Sequence, residues 1–173
     1  MIELYGADTV RLFILFAANP TAGMDWSDTA LEANYRVMLQ LRTMPETILN
    51  WGNDNSEIDN WLIARLKQRV AEFNQAMDNY DLRRAVEISH YELIKDINWY
   101  TRRGGNNSTV GRTILESWTY LISVSTPHLA EEWGRCLGWQ QMVSASQMKN
   151  VEPVTPAEEN LLDYEFTMRN VLE

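Results

Sequence analysis

Residues 56–103 read SEIDNWLIARLKQRVAEFNQAMDNYDLRRAVEISHYELIKDINWYTRR, and they decide the fold. Ser56 stands three residues ahead of Asp59, a capping box with Asp in the place usually held by Glu, so a helix starts here. Ile58, Leu62, Leu66, Val70, Phe73, Met77 and Tyr80 follow at the spacing of one helix face. Asp78-Asn79-Tyr80-Asp81 has the composition of a tight reversal, and Asp81 can cap a second helix. That helix extends from Leu82 to about Arg102, with Leu82, Ala85, Val86, Ser89, Leu93, Ile97 and Tyr100 on its stripe. Two long helices joined by so short a connection lie antiparallel. Arg103-Gly104-Gly105-Asn106-Asn107 closes the pair as a flexible turn.

Two helices precede this pair. Tyr5-Gly6-Ala7-Asp8-Thr9-Val10-Arg11-Leu12-Phe13 opens a helix that Asp8 is placed to cap and that ends before Pro20. From Val10 to Ala18 only Arg11 is charged. A helix apolar nearly all round is buried on more than one side. One side is expected to face this chain, and another to face something outside it. Met24-Asp25-Trp26-Ser27-Asp28 starts the second helix, capped by Ser27 or Asp28, which runs to about Thr43. Pro45 is expected to interrupt it, with a further turn or two over Glu46–Trp51.

After the central pair, Ser108 or Thr109 opens a helix reaching about Ser125. Pro127 stands at the first position of a short helix to about Leu137, where its missing N–H costs nothing. Residues 138–154 show no strong period. Thr155-Pro156-Ala157-Glu158 is a full capping box for a last helix still running at Glu173. The fold class is all-α, an antiparallel helical bundle.

Composition excludes several functions. A length of 173 residues with 45% hydrophobic content supports a real core rather than disorder. No run of eighteen apolar residues appears, so no membrane span is expected. The single cysteine, Cys136, rules out an intramolecular disulfide and fits a reducing compartment. His90 and His128 lack a second His or Cys at ligand spacing, so no metal site is expected, and both read as packing or capping residues. No phosphate loop or catalytic motif occurs, so no catalytic residue is assigned. Glu92 and Asp96, four apart on one face, read as salt-bridged rather than as ligands.

The net charge of −9 hides an asymmetry: residues 62–112 hold nine Lys/Arg against six Asp/Glu. Within that basic middle, Arg65, Lys67, Arg69, Arg83, Arg84, Arg102 and Arg103 are candidates for phosphate contacts.

Five segments also carry a resemblance. Residues 5–13 resemble the YGAD-x-x-R-L element that follows the catalytic signature loop of class I aminoacyl-tRNA synthetases. Residues 24–28 resemble the D-W-S-D turn of the leucyl type. Residues 58–66 and 96–103 are similar to the I-D-x-W-L-x-x-R-L and D-x-x-W-Y-x-R-R elements of its archaeal/eukaryotic form. Pro127-His128-Leu129-Ala130-Glu131-Glu132-Trp133 resembles the P-H-x-A-E-E-x-W element of class Ia enzymes. The segments occur in the family's order.

This resemblance implies the helical bundle usually called the anticodon-binding domain, without the catalytic and editing domains. It implies a connection over residues 1–28, a tRNA-binding bundle over 29–140, and the start of a C-terminal extension over 141–173. The partners implied are tRNA(Leu) and the catalytic domain of the same polypeptide, which Tyr5, Arg11, Asp25 and Trp26 would contact. Self-association through the first helix is a further expectation. The parent would use ATP and Mg²⁺ in the cytoplasm; this chain needs no cofactor and is expected to be inactive alone. Two alternatives remain: the same domain with isoleucine, valine or methionine specificity, and a free-standing helical scaffold that binds proteins.

Overall fold

The structure is a computed structural model that describes residues 1–17 and 26–172. It is a bundle of α-helices with one two-residue antiparallel ladder among the described residues. Helices α1 (Ile2–Tyr5) and α2 (Ala7–Ala17) lead to α3 (Asp28–Leu49). α4 (Glu57–Asp78) reverses into α5 (Leu82–Glu87), a π-helical turn (Ile88–Glu92) and α6 (Leu93–Arg102). α7 (Ser108–Ser123), α8 (Pro127–Cys136) and α9 (Pro156–Leu172) complete it. α4 is the centre: it packs on α5, α6, α7 and α9, while α7 and α3 cover α8.

The expected starts are met by their caps. Ser56 N–H donates to Asp59 Oδ2 at 3.1 Å, Arg84 N–H to Asp81 Oδ1 at 3.0 Å, and Thr155 N–H to Glu158 Oε2 at 2.8 Å. Tyr80 takes the reversal at φ 58°, a conformation that costs a non-glycine residue and keeps the connection short. α7 begins one residue earlier than its hydroxyl candidates suggest: Asn107 is the cap, accepting from Thr109 N–H at 3.0 Å.

Pro45 does not interrupt α3, which runs through it. Proline removes the N–H that would bond the Leu41 carbonyl four residues back. Trp133 of α8 supplies the missing donor, with Nε1 3.1 Å from Leu41 O. A packed indole thus repairs the break.

The helix expected over 82–102 carries a π turn. Leu93 N–H reaches back five residues to Ile88 O, which leaves Ser89 O without its usual donor. Trp118 Nε1 takes that carbonyl at 2.6 Å. Trp118 and Trp133 meet edge to face, with ring centroids 5.1 Å apart, so both repairs lie in one core cluster.

Residues 103–107 are a fastened turn rather than a loose one. Asn106 and Asn107 (β2) pair with Asp54 and Asn53 (β1). Asp59 accepts from Tyr100 Oη at 2.6 Å and from Asn107 Nδ2 at 2.9 Å. Burial opposes the Asp59 charge, but these bonds and those from Ser56 outweigh it and hold the carboxyl below its ordinary range. Gly105 is required here, because a Cβ would lie 2.3 Å from the Tyr100 ring.

No helix among the described residues is long and apolar enough to cross a membrane, and no metal-binding cluster occurs among them.

His90 lies in the π turn, fully buried, with Nδ1 2.8 Å from Ser89 Oγ and Nε2 3.0 Å from Thr126 Oγ1. Burial pushes its imidazolium down to about 3 from the usual 6.5. The unfolded chain therefore binds the proton first as pH falls. This stabilisation is fully present above about pH 6.5 and is lost progressively toward pH 3. Urea unfolding of wild type between pH 7 and pH 5 should show stability declining with acid more steeply than in His90→Gln. Parallel curves would rule out a neutral buried imidazole.

Candidate nucleic-acid interface

The seven cationic candidates stand on α4, on α5, and at the end of α6. α4 has 22 residues, so its two ends are about 33 Å apart at 1.5 Å per residue. Arg83 and Arg84 lie at one end of the pair, and Arg102 and Arg103 at the other.

Four of the seven are turned onto their own protein. Arg69 is the hub. Its Nε donates to Asp96 Oδ2 at 2.8 Å, its Nη1 donates to Glu72 Oε2 at 3.0 Å, and it also bonds Glu92. Arg84 donates to Glu92 Oε1 at 2.5 Å and to Glu72 Oε2 at 3.0 Å. Arg65 Nε lies 3.8 Å from Asp96 Oδ1, and its guanidinium stands over the Trp61 ring at 5.6 Å. Lys67 bonds Glu158 of α9 at 2.7 Å. Side-chain exposure is 14% for Arg65, 13% for Arg69 and 1% for Asp96. From α9, Arg169 approaches Asp96 at 4.0 Å and the Trp99 ring at 5.7 Å.

The electrostatics follow from this packing. Burial lowers the Arg65 guanidinium from its ordinary range, against the pull of Asp96. Burial acts the same way on Arg69, but Asp96, Glu92 and Glu72 together raise it. The hydrogen bond to Glu92 raises Arg84. Along this seam Arg65, Arg69, Arg84 and Arg169 face Asp96, Glu72, Glu87 and Glu92, so the field nearly cancels. Arg65 and Arg69 therefore do not form the open cationic face expected of them. A guanidinium desolvated against a carboxylate cannot turn to a phosphate without stranding its partner.

Of the remaining three, Arg83 and Arg102 face solvent more, while Arg103, its side chain 31% exposed, is held by a Glu165 carboxylate that is only 5% exposed. Arg83 pairs with Glu87 at 3.3 Å and is 54% exposed. Arg103 bonds Glu165 at 3.1 Å at the edge of α9. Arg102 is exposed and donates to Leu172 O at 3.0 Å. On α6, Lys95, Asn98 and Arg102 form one exposed strip opposite the buried Leu93, Ile97 and Tyr100. Sequence reasoning passed over Lys95 and Asn98. The spacing of three from Lys95 to Asn98 and four from Asn98 to Arg102 is the signal.

At the N-terminal end, Leu12 and Phe13 of α2 are buried, Ile14 is 41% exposed, and the other residues from Val10 to Ala17 are half-buried. The helix is thus covered on one side only. Tyr5 packs edge-on against Tyr35, and Trp26 against Phe13. Arg11 donates to Asp8 at 2.8 Å. Asp25 lies outside the described residues. Asp8 does more than serve its own helix. It accepts from Leu129 N–H at 2.9 Å, in the first turn of α8, and its Oδ1 lies 2.8 Å from His128 Nδ1.

A cleft of about 750 Å³ opens between α4, α7 and the segment 139–152, walled by Ile63, Leu66, Tyr120, Trp139 and Met148. Its lining holds no His or Cys.

Comparisons place this geometry among known proteins. The family described as anticodon-binding domain of tRNA ligase matches residues 59–172. The chain is 35% identical over 132 residues to the leucine–tRNA ligase of Archaeoglobus fulgidus, covering 76% of this chain and 14% of that protein. It is 30% identical to that of Methanosarcina acetivorans over 84% of this chain and 16% of that one. With that of Methanococcus vannielii the identity is 32%, over 95% of this chain and 17% of that one. The chain thus spans about a sixth of the length of these curated relatives. A solved chain from the ternary complex of Agrobacterium radiobacter K84 agnB2 LeuRS, tRNA and LeuAMS shares the fold. Its TM-score is 0.72 at 19% identity, over 93% of this chain and 21% of that one.

Removing Arg69 tests whether this cluster is structural. Arg69→Met should destabilise the chain by about 3 kcal/mol or more, because Asp96 is left buried with its best partner gone. Arg36→Met, at a side chain 79% exposed, should cost less than about 0.5 kcal/mol. Urea midpoints measure both. Equal losses would show that the buried cluster contributes nothing particular.

Proposed function

The chain belongs to the anticodon-binding domain family of tRNA ligases, and from that premise we infer that it is the tRNA-supporting helical domain of a leucine–tRNA ligase. The observation that carries this reading is the likeness to leucine–tRNA ligases over 76–95% of the chain. The parent joins leucine to tRNA(Leu) in the cytoplasm, using ATP and Mg²⁺ held by its catalytic domain. No catalytic motif is present in this sequence, so its part is to position the nucleic acid.

The internal pairing of Arg65, Lys67, Arg69 and Arg84 divides the work. These four hold α4 to α5, the π turn, α6 and α9, and the shape they hold presents the contacts. The phosphate-facing surface is the α6 strip of Lys95, Asn98 and Arg102, with Arg83 at the far end, while Arg103 is held by the buried Glu165 carboxylate. Such contacts set orientation and register without reading sequence. Residues 1–28 join the bundle to the catalytic domain, with Tyr5, Arg11 and Trp26 on that side. The half-covered α2 and the exposed Ile2 and Leu4 of α1 support this assignment, since an apolar face of this kind marks a partner.

Filter binding of tRNA(Leu) to the chain across a salt series tests the reading. Affinity should be weak and fall with salt. The Lys95→Glu, Arg102→Glu double variant should weaken it further and reduce the salt slope by about two. Binding that ignores salt and both reversals would overturn the assignment. The chain alone should form no leucyl-tRNA from leucine, ATP and tRNA. Product in that assay would refute a purely positioning role.

A further inference from the structure

The α8 helix begins with Pro127 and borrows its cap. Thr126, at the cap position, does not bond the first-turn N–H groups with its side chain. Its hydroxyl donates to Ile122 O at 3.0 Å and also meets His90. The orphan N–H of Leu129 is instead taken by Asp8, from a helix 121 residues earlier. A carboxylate at a helix N-terminus also meets the positive end of the helix dipole. The other Asp8 oxygen bonds His128 and Arg11. Asp8 is only 7% exposed and its bond to Leu129 N–H is buried, while the His128 and Arg11 side chains that meet its other oxygen are 74% and 42% exposed.

The rest of the contact between α2 and the bundle is mainly apolar, through Leu12, Phe13 and rings such as Phe16 on Tyr91. Apolar burial is non-directional: it holds α2 down but does not fix its slide or rotation. The Asp8 carboxylate is directional, and its two oxygens fix two points at once. One point is backbone of α8 and the other is a side chain of α8, so α2 cannot turn about either bond alone.

We propose that Asp8 is a positioning residue: its carboxylate, bound across the core to the start of α8, sets the angle at which α1 and α2 leave the bundle. On the reading given above, on which this rests, it thereby sets where the catalytic domain stands relative to the bound tRNA. Arg11 and His128 are its supports. Arg11 balances the charge from the α2 side, and His128 steers the carboxylate from the α8 side.

The sequence supplies a probe. Cys136, its only cysteine, lies exposed at the far end of α8. A second cysteine by Leu4→Cys, at a position 74% exposed on α1, completes a spin-label pair. Double electron–electron resonance should give one narrow distance distribution in the otherwise unaltered chain. Asp8→Ala should broaden and shift it while circular dichroism still shows a folded bundle. Asp8→Asn, which keeps an acceptor for Leu129 N–H, should fall between. A distribution unchanged in both variants overturns the proposal. Where Asp8→Ala does not fold, Asp8→Asn and His128→Ala decide by the same criterion.

In the complete ligase that carries this domain, Asp8→Asn should lower kcat for leucyl transfer on the order of 10²-fold, as small misplacements do, with KM for tRNA unchanged. An unchanged kcat would overturn the positioning role while leaving the tRNA reading intact. A wild-type ligase that does not charge tRNA(Leu) would overturn the reading and leave the distance result standing.

Discussion

A carboxylate buried in a helical bundle must be neutralised where it stands, and Asp96 imposes that constraint here. Its side chain is 1% exposed, and Arg65, Arg69 and Arg169 converge on it from α4 and α9. Leaving such a charge unpaired would cost several kcal/mol, so the three helices cannot slide past one another freely. Burial alone would tolerate small shifts of register; a guanidinium fork on a carboxylate does not. The basic residues that look like a nucleic-acid face are thus mostly the inner frame of the bundle. What stays open to solvent is the outer strip of α6 and the Arg83 end of the helix pair.

The tryptophans answer a related problem. Every buried carbonyl that loses its helical donor needs another. Pro45 frees Leu41 O, and Trp133 takes it; the π turn frees Ser89 O, and Trp118 takes it. Trp99 donates to Glu165 of α9 at 3.1 Å, beside the Arg103 pair. An indole fills core volume with its rings and carries one N–H at its edge. It can therefore mend an irregular helix from the neighbouring one without adding an unpaired polar group. The irregularities of α3 and of the π turn are tolerated because these partners exist.

The same logic extends to the N-terminal helices. The Asp8 carboxylate makes α2 part of the cap of α8, so the N-terminal helices are fixed to the bundle rather than merely resting on it. The ion-pair frame, the indole repairs and the shared cap together stiffen this route.

Much of this was legible in the order of residues. The capping boxes at Ser56 and Thr155, the reversal at Asp78–Asp81 and the proline that opens α8 are local signals acting within one turn, and the structure has them where the sequence puts them. Helical period sufficed for the all-α bundle, and the ordered motifs sufficed for the family. The expected break at Pro45 failed because its remedy lies 92 residues away, at Trp133. The open face expected of Arg65 and Arg69 failed for the same reason: spacing shows that two arginines share a side, not which carboxylates stand opposite. Asp8 read as the cap of its own helix, yet its acceptor role lies at Leu129. By itself the sequence determined the helices and most of their capped starts, since those follow from interactions within a few residues, and its ordered motifs carried the lineage. Only the tertiary structure decided which charges are spent inside and which stay free, because that depends on helices far apart in sequence meeting at hydrogen-bond distance.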